Sequence, residues 1–409
     1  MKLLSVRAAQ RRITGNLSPV GTEKVRVAHG LGRVLAADVR STDLPVFDNS
    51  SVDGFAVVAA DLDSASIVSP RRLNVVADIP AGSLSRIRLK SGEAARIMTG
   101  APIPRNATAV IMVEDTDYAK RPPGAEPPEW ISACQRLGPG TNIRRRGTDV
   151  RRGRRVLTAG RDLRPQDLGL LAMLGMSAVL VYRRPRVALL SSGNELIAPG
   201  RPLRPGGIRD ANSTTLAALI SEMGCDVIML GVARDTERAI RALLDRAIPR
   251  QADIVVSSAG VSVGALDLMR AVIQERGQLH FWRVDVRPGK PLAVGEYRGL
   301  PYVGLPGNPV SAFVGFELFV RPALARLAGL KAISRRNVRV ILAEPVESDG
   351  RESYLRAVVA ARKGKYVARL TGHQGSSNLL SLVQANALLM VPAGVKSLAV
   401  GDEAQAWLL

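Results

Sequence analysis

The chain has few of the residues that would hold a metal, crosslink a small fold or anchor it in a membrane. Its 409 residues include two cysteines and three histidines, and none of them forms a paired metal-binding or disulfide motif. A disulfide framework and a zinc site are therefore excluded. The uncharged apolar stretch 168–182 is 15 residues long, shorter than the roughly 18–20 residues of a membrane-spanning helix, so we predict no membrane span. Arg7, Arg11 and Arg12 interrupt the first apolar residues before a signal-peptide core can form, and we expect a cytoplasmic protein.

Aromatic residues are also scarce, at 4% of the chain, and lysine is rare, with 9 Lys against 48 Arg. Because single-stranded nucleic acids bind by stacking bases on aromatic rings, and no zinc-finger or RRM-like motif is present, this composition argues against a nucleic-acid partner. The net charge of +21 nevertheless favours an anionic ligand. The densest basic run, at 144–164, is interpreted as a solvated connector, with polyanion contact as the alternative.

The length is two to four times that of a common domain of about 100–200 residues, which predicts several domains. From residue 186 onward, short β-branched runs alternate with helical patterns, as is typical of a doubly wound, parallel α/β domain. Asn212, Thr236 and Asn308 are the predicted helix N-caps. The pattern predicts strands at 187–191, 226–230, 254–257, 279–284 and 302–305, and helices at 213–223, 237–248, 266–276 and 309–328.

Turns and short apolar runs dominate the segments that precede and follow the predicted α/β domain. Proline and glycine clusters within 44–143 predict a β-rich inserted module, and the strand patterns of 330–409 indicate a small β-barrel or sandwich. The predicted domains are 1–43 (N-terminal helix and linker), 44–143 (β-rich module), 144–178 (connector completing the N-terminal domain), 179–329 (α/β domain) and 330–409 (C-terminal β-barrel).

Small and polar residues follow three of the predicted strands, in the segments 191–195 (SSGNE), 258–264 (SAGVSVG) and 305–309 (LPGNP). In open α/β sheets ligands bind beyond the carboxyl ends of the strands, where helix N-termini favour anions. Glycine lets the backbone approach a phosphate, and Glu195, Asp235 and Asp267 can hold Mg²⁺. Each loop alone is typical of a plain turn, but their joint placement predicts a ligand site.

Other catalytic signatures fit poorly. The chain has no P-loop, and the segment 30–35 (GLGRVL) lacks the third glycine and the preceding strand of a dinucleotide fingerprint. The segment 260–264 (GVSVG) matches the nucleophile elbow of hydrolases, but only His280 and His373 follow it, with no Ser/His/Asp spacing. An esterase therefore remains a minor alternative.

Together the motifs resemble those of the MoeA family of molybdopterin molybdenumtransferases, and they are similar to the E domain of gephyrin. The resemblance covers nearly the whole chain. Its carriers are 51–56 (SVDGFA), 97–102 (IMTGAP), 146–150 (RGTDV), 192–196 (SGNEL), the loop 259–267, 287–291 (RPGKP), 304–311 (GLPGNPVS), 374–376 (QGS) and 384–386 (QAN).

The resemblance implies an L-shaped, four-domain homodimer whose central domain is similar to MogA and MoaB. It implies insertion of molybdenum from molybdate into adenylylated molybdopterin, with Mg²⁺ present and AMP released. The expected ligands are small anionic substrates, and the expected protein partners are other molybdenum cofactor biosynthesis proteins and acceptor molybdoenzymes. In the family's dimer the β-rich module reaches toward the other subunit, so the cleft is expected to be shared.

The resemblance also assigns roles to residues. Asp235 and Asp267 are the implied Mg²⁺ ligands, and Arg283, Arg287 and Lys290 are expected to neutralise anions. The implied catalytic residues are Asp53, Thr99, Glu195, Asp235, Asp267 and Lys290. The implied substrate-binding residues are Asp149, Ser192, Gly193, Asp210, Gly260, Ser262, Arg283, Arg287, Pro306, Gly307, Asn308 and Pro309.

Five positions depart from the family's usual residues. Asn194 stands where Asp is usual, Ala259 where Gly is, Leu268 where an aromatic residue is, and Arg283 and Arg287 where Lys is. Three alternatives to the transferase therefore stay open. They are a paralogue that handles tungstate or another oxyanion, a non-catalytic scaffold of cofactor assembly, and a nucleic-acid binder suggested by the charge alone.

Overall fold

The computed structural model describes residues 3–83, 86–122, 125–258, 263–331 and 335–409, and at 263–267 and 281–282 it describes the backbone alone. The chain divides into two compact units, one formed by Met1–Ala37 and Ala159–Leu409 and the other by Asp38–Thr158. The finer domain boundaries predicted at 143, 178 and 329 stay predictions. In the described part of the chain, no helix has the length and apolar character needed to cross a membrane.

A five-stranded sheet forms the core of the unit Asp38–Thr158, as the turn-rich pattern predicts. Gly54 lies in its second strand, and a Cβ there would lie 1.9 Å from the carbonyl oxygen of Ile111, so only glycine fits. The strand order is Ala109–Met112, Gly54–Val57, Glu93–Ile97, Arg71–Ile79 and Trp130–Ala133. Two short antiparallel pairs, Val39–Arg40 with Arg155–Leu157 and Asn49–Ser50 with Ile143–Arg144, and three 3-10 turns, Ala59–Leu62, Val113–Asp115 and Asp117–Lys120, complete the unit.

Six strands form the central sheet of the larger unit. Four of them are parallel, which places their carboxyl ends at one edge. The inner strands Arg186–Ser192 and Ile254–Ser258 are buried on both faces, whereas the edge strand Asp226–Ala233 is partly exposed. The other two are antiparallel to their neighbours, so the sheet is mixed. The sequence pattern misses one of these, Pro291–Tyr297, because Pro291 and Gly295 interrupt its apolar residues. The order is Asp226–Ala233, Arg186–Ser192, Ile254–Ser258, Leu300–Leu305, Pro291–Tyr297 and Gly277–Arg283.

Helices Ala211–Glu222, Glu237–Asp245 and Val263–Gln274 connect these strands. The prediction of Thr236 as an N-cap is confirmed, because its hydroxyl accepts the N–H of Ala239 at 3.3 Å. The prediction of Asn212 as an N-cap is wrong. Asp210 caps that helix instead, two residues earlier, by accepting the N–H of Ser213 at 3.0 Å. Asp and Asn are equally favoured cap residues, so composition alone does not separate them.

The last helix of the α/β domain changes its winding part-way. Pro309–Gly315 and Arg321–Leu327 are α-helical, and Phe316–Val320 between them is π-helical. Asn308 and Pro309 occupy the N-cap and first positions as predicted, although the Asn308 side chain makes no capping bond. The N-terminal helix Val6–Thr14 buries one face in the same core as this helix.

A closed five-stranded barrel forms the end of the chain, which confirms the predicted β-barrel. Its strands pair in the circular order Glu352–Arg362, Lys365–Leu370, Asn337–Leu342, Glu403–Leu408 and Ala387–Val391, and the last pairs back with the first. Short elements border it: Val286–Arg287 beside Glu352–Arg362, the pair Val346–Glu347 with Ser397–Leu398, and the helix Leu379–Val383.

A further antiparallel pair, Thr22–Arg26 with Ala178–Tyr182, lies outside the central sheet, together with the 3-10 turn Val27–His29 and the helix Pro165–Met173. The buried carboxylate of Asp167 holds the start of that helix. It accepts two bonds from Arg161, at 2.8 and 2.9 Å, and one from the backbone N–H of Arg164 at 3.1 Å.

We expect Asp167→Asn to lower the free energy of unfolding by about 2 kcal/mol at pH 7. Burial alone would raise the pKa of Asp167, but its bonds to Arg161 and Arg164 outweigh burial and lower the pKa to about 2. Because the folded-state pKa is lowered, the contribution is complete above the unfolded-state value near 4 and is lost as the pH falls toward 2. Denaturant titrations at pH 7 and pH 3, with the exposed Asp63→Asn as control, measure it. A stability difference that stays constant with pH contradicts the prediction.

Candidate active site

Polar loops meet at the edge of the central sheet where the four parallel strands end. The strand Arg186–Ser192 leads into Gly193, whose φ of +147° favours glycine. The Glu195 carboxylate lies against this glycine, because a Cβ on Gly193 would lie 2.7 and 2.8 Å from its two oxygens. The hydroxyl of Ser192 is buried and has no hydrogen-bond partner among the described residues.

Asn194 and Asp235 tie two neighbouring loops together by a reciprocal pair of hydrogen bonds. The Asn194 N–H donates to Asp235 Oδ2 at 3.1 Å, and the Asp235 N–H donates to Asn194 Oδ1 at 3.2 Å. A carboxylate oxygen at position 194 would accept the second bond equally well, so the departure from the family's usual Asp keeps this contact. Beside the pair opens a cleft of about 630 Å³ that Arg204 and Arg234 line.

Asp210 and Asn212 extend the site toward the centre of the sheet. Asp210 is buried and accepts both the N–H and, at 2.5 Å, the hydroxyl of Ser213, which also bonds Ser191. The amide of Asn212 donates to Ser258 Oγ and to the Gly307 carbonyl, both at 2.7 Å. The loops after three different strands are therefore joined by side-chain bonds.

The segment 287–291 lies against the start of the helix at Pro309. Gly289, with a φ of +102°, comes so close that a Cβ on it would lie 3.4 Å from the Ser311 carbonyl oxygen and 4.0 Å from Pro306 Cγ. Lys290 is exposed and Arg287 is half-buried. Arg283 is also exposed, and its carbonyl accepts the N–H of Leu4 at 3.0 Å. The segment that carries Arg287 and Lys290 is thus placed near the helix start, and the roles of Arg283, Arg287 and Lys290 stay predictions.

Arg356, in the barrel strand Glu352–Arg362, is a residue that the sequence analysis missed. Its side chain is fully buried, and it donates to Ser381 Oγ and to the Gly375 carbonyl, both at 3.0 Å. No carboxylate in the described ranges pairs with it. The next residue, Ser376, accepts a bond from Asn308 Nδ2 at 2.9 Å, so Arg356 belongs to the surroundings of the helix start. The available signal was one arginine inside an apolar strand pattern.

The positive charge of Arg356 is buried and is not neutralised by any described carboxylate. Burial, followed by the positive charge of Arg287, lowers the pKa of Arg356 to about 10. The guanidinium remains charged at pH 7 but carries a desolvation cost that no described carboxylate offsets. A bound oxyanion supplies both the counter-charge and the acceptors that such a group requires.

The other unit contains a second set of predicted residues. Asp53 Oδ1 accepts both the N–H and the hydroxyl of Thr99 at 2.7 Å, and these bonds lower the pKa of Asp53. Asp149 pairs with Arg144 at 2.6 Å. The structure therefore brings Asp53, of the motif 51–56, into contact with Thr99, of the motif 97–102. Asp149 is engaged in a separate ion pair with Arg144.

Three of the predicted site residues, Gly260, Ser262 and Asp267, lie wholly or in their side chain outside the part of the chain that the structure describes. Gly260 and Ser262, like Ala259, lie outside the described residues, as does the side chain of Asp267. Within the described ranges, no group of three His, Cys, Asp or Glu residues is close enough to hold a metal ion. Asp235 is the implied Mg²⁺ ligand whose side chain is described. It is half-buried, and its Oδ1 has no partner among the described residues.

Family models identify the chain region by region. The MoeA N-terminal region (domain I and II) matches residues 4–175, a probable molybdopterin binding domain matches 188–326, and the MoeA C-terminal region (domain IV) matches 339–409. The chain belongs to the MoeA family. This confirms the resemblance and the predicted fold class.

Two relatives of this MoeA chain illustrate the extent of the similarity. Molybdopterin molybdenumtransferase 2 of Mycobacterium tuberculosis is 38% identical and covers 98% of this chain and 99% of its own length. Molybdopterin molybdenumtransferase of Nostoc sp. is 37% identical over 93% of this chain and 87% of its own. Among solved structures, a molybdopterin biosynthesis MoeA protein from Pyrococcus horikoshii is 34% identical, covers 100% of this chain and 99% of its own, and has a TM-score of 0.83.

We expect Asp210→Ala to lower the free energy of unfolding by about 2–4 kcal/mol, because it removes a helix cap and also leaves buried Ser213 donors unsatisfied. Thr236→Ala removes an equivalent cap at an exposed position and should cost only about 1 kcal/mol. Denaturant titration of both variants and of the wild type measures the difference. Equal losses in the two variants would mean that the buried hydroxyl network contributes nothing.

Proposed function

We propose that this chain transfers molybdenum from molybdate into molybdopterin. One observation carries the proposal: Arg356 is fully buried and has no described carboxylate partner. It lies close to the segment 287–291, where the long helix (309–327) begins. Molybdate is a tetrahedral dianion. Arginine forks, helix N-termini and hydroxyls are the groups that bind such anions in proteins.

The molybdate pocket that we propose is formed by Arg356, Arg287, Lys290, Ser376 and the helix start at Asn308. Arg356 lies deepest and supplies fixed donors, because Ser381 and Gly375 hold its guanidinium. Lys290 is exposed and offers a mobile charge that can follow the anion. The positive end of the helix dipole adds to the field of these cations.

The rim at the strand ends is the proposed site for adenylylated molybdopterin. It adjoins the molybdate pocket through Pro306–Asn308, because Gly307 bonds Asn212 on one side and Asn308 bonds Ser376 on the other. Ser192, with its unpartnered buried hydroxyl, offers a donor to a phosphate oxygen at this rim. Contiguous sites let the metal reach the dithiolene while both anions stay bound.

Mg²⁺ at this rim and release of AMP belong to the same proposal. Asp235 fits a hard cation, because one carboxylate oxygen is tied to the Asn194 loop and the other is free among the described residues. Asp267 is the proposed second ligand from the facing loop. Mg²⁺ would neutralise phosphate charge when bound, while Asp235 positions the loop. Sharing of the cleft between two chains, with Asp53 and Thr99 contributed by the partner, rests on the family resemblance.

We expect Arg356→Met to raise the molybdate concentration for half-maximal turnover by about ten- to a hundredfold, because a charged hydrogen bond contributes about 1.5–3 kcal/mol. Arg356→Lys, which keeps the charge and loses the fork, should be milder. Turnover is followed as AMP release together with molybdenum incorporation, and a parallel titration with tungstate tests the alternative oxyanion.

Stability separates this role from a structural one. A buried charge without a counter-charge is costly, so Arg356→Met should leave the melting temperature within a few degrees of the wild type. Arg339→Met, at an exposed position of the same barrel, is the matched control and should leave the molybdate requirement unchanged. An unchanged molybdate requirement in a folded Arg356→Met variant would refute the proposed pocket.

We expect Asp235→Asn to raise the Mg²⁺ concentration for half-maximal turnover at least tenfold. An amide oxygen can still accept the Asn194 N–H, so the loop should keep its conformation while the charge is lost. Asp226→Asn, at the start of the strand that leads into the Asp235 loop, is the control. Turnover that needs the same Mg²⁺ concentration in both variants rules out Asp235 as a ligand.

A further inference from the structure

A cavity of about 720 Å³ lies beside the C-terminal half of the long helix, away from the residues assigned to the transferase site. It is bounded by the N-terminal helix Val6–Thr14, by the segments Phe316–Val320 and Arg321–Leu327, and by Trp407 of the barrel. Its volume is within the range of small-molecule sites, about 300–1,000 Å³. None of the residues assigned above to molybdate, molybdopterin or Mg²⁺ lines it.

The cavity is strongly positive. Among the described residues that line it, the acidic one is Glu317, whose side chain is fully buried and accepts bonds from Arg321 and Arg335 at 2.7–3.1 Å. Glu222, outside the lining, pairs with the same two arginines at 3.4 and 2.8 Å. These ion pairs fix two guanidinium groups at the cavity wall. The lining arginines are Arg7, Arg11, Arg321, Arg326 and Arg335.

The remaining three arginines have no carboxylate partner among the described residues. Arg326 donates to the Leu17 carbonyl at 3.1 Å, which orients it without neutralising it. Arg7 and Arg11 stand one turn apart on the same helix, where like charges repel. Arg7 also lies in the first turn, where the helix dipole disfavours a cation. Arg11 lies in the last turn, where the dipole favours a cation, so the unfavourable terms are the position of Arg7 and the repulsion between the two arginines, and a bound anion would offset both.

The winding of the long helix is a second, independent sign of a site. Phe316–Val320 is π-helical, and such segments are frequent at functional positions. Glu317 lies in this segment, so the irregular turn carries the carboxylate that holds Arg321 and Arg335.

We propose that this cavity binds a small polyanion that carries an oligophosphate group. Guanidinium forks match phosphate oxygens in pairs, and the cavity presents more of them than its carboxylates neutralise. Trp407 and Pro322 add a flat apolar wall. A free oligophosphate uses the arginines alone, whereas a nucleotide also places its ring against that wall.

The test is titration of the full-length chain with tripolyphosphate and with ATP at 0.15 M ionic strength, by calorimetry. We expect both to bind and Arg7→Ala and Arg11→Ala each to raise Kd about tenfold, which corresponds to the loss of one charged hydrogen bond. Both side chains are exposed, so the variants should keep the wild-type melting temperature. Equal affinity for the two probes identifies a bare oligophosphate site, tighter binding of ATP identifies a nucleotide site, and both results support the proposal.

Two controls keep the site apart from general charge and from the transferase site. Arg12→Ala removes a cation from the same helix outside the cavity and should change Kd less than twofold. Arg356→Met should leave this binding intact even where it abolishes the molybdate response. The proposal is overturned when neither probe binds, when Arg12→Ala weakens binding as much as Arg11→Ala, or when Arg356→Met alone abolishes it.

Discussion

The uncompensated buried charge of Arg356 is the constraint around which the candidate site is arranged. A guanidinium inside a barrel wall is costly unless its donors are satisfied and its charge is met. Ser381 and the Gly375 carbonyl satisfy the donors, and the adjacent Ser376 ties the same loop to Asn308 at the start of the long helix. The barrel and the α/β domain therefore meet where positive charge is concentrated.

The parallel strands of the central sheet place the remaining site residues. Four strands end at one edge, so loops that are far apart in sequence become neighbours there. Asn212 joins the loops that follow two different strands, and Asn194 and Asp235 join another two. The small residues of these loops leave the backbone accessible to a ligand, while the side-chain amides of Asn194 and Asn212 hold neighbouring loops together.

Much of this could be predicted from the sequence, because the deciding signals are local. Alternating apolar runs and helical patterns predict the α/β domain, and Thr236 and Pro309 mark helix starts. The strand Pro291–Tyr297 and the role of Arg356 could not be predicted, because each depends on tertiary neighbours. Proline and glycine mask the first, and a lone arginine in a strand gains its meaning only when Gly375 and Asn308 approach it.

The π-helical turn Phe316–Val320 has a geometric consequence for the two cavities. One extra residue in an α-helix rotates everything beyond it by about 100° around the axis. The half that begins at Pro309 starts beside the loops at the strand ends, and the half that contains Arg321 lines the cavity beside the N-terminal helix. The extra residue thus sets the angle about the helix axis between the side chains of the two halves. Deleting it would rotate one half by about 100° relative to the elements it packs against.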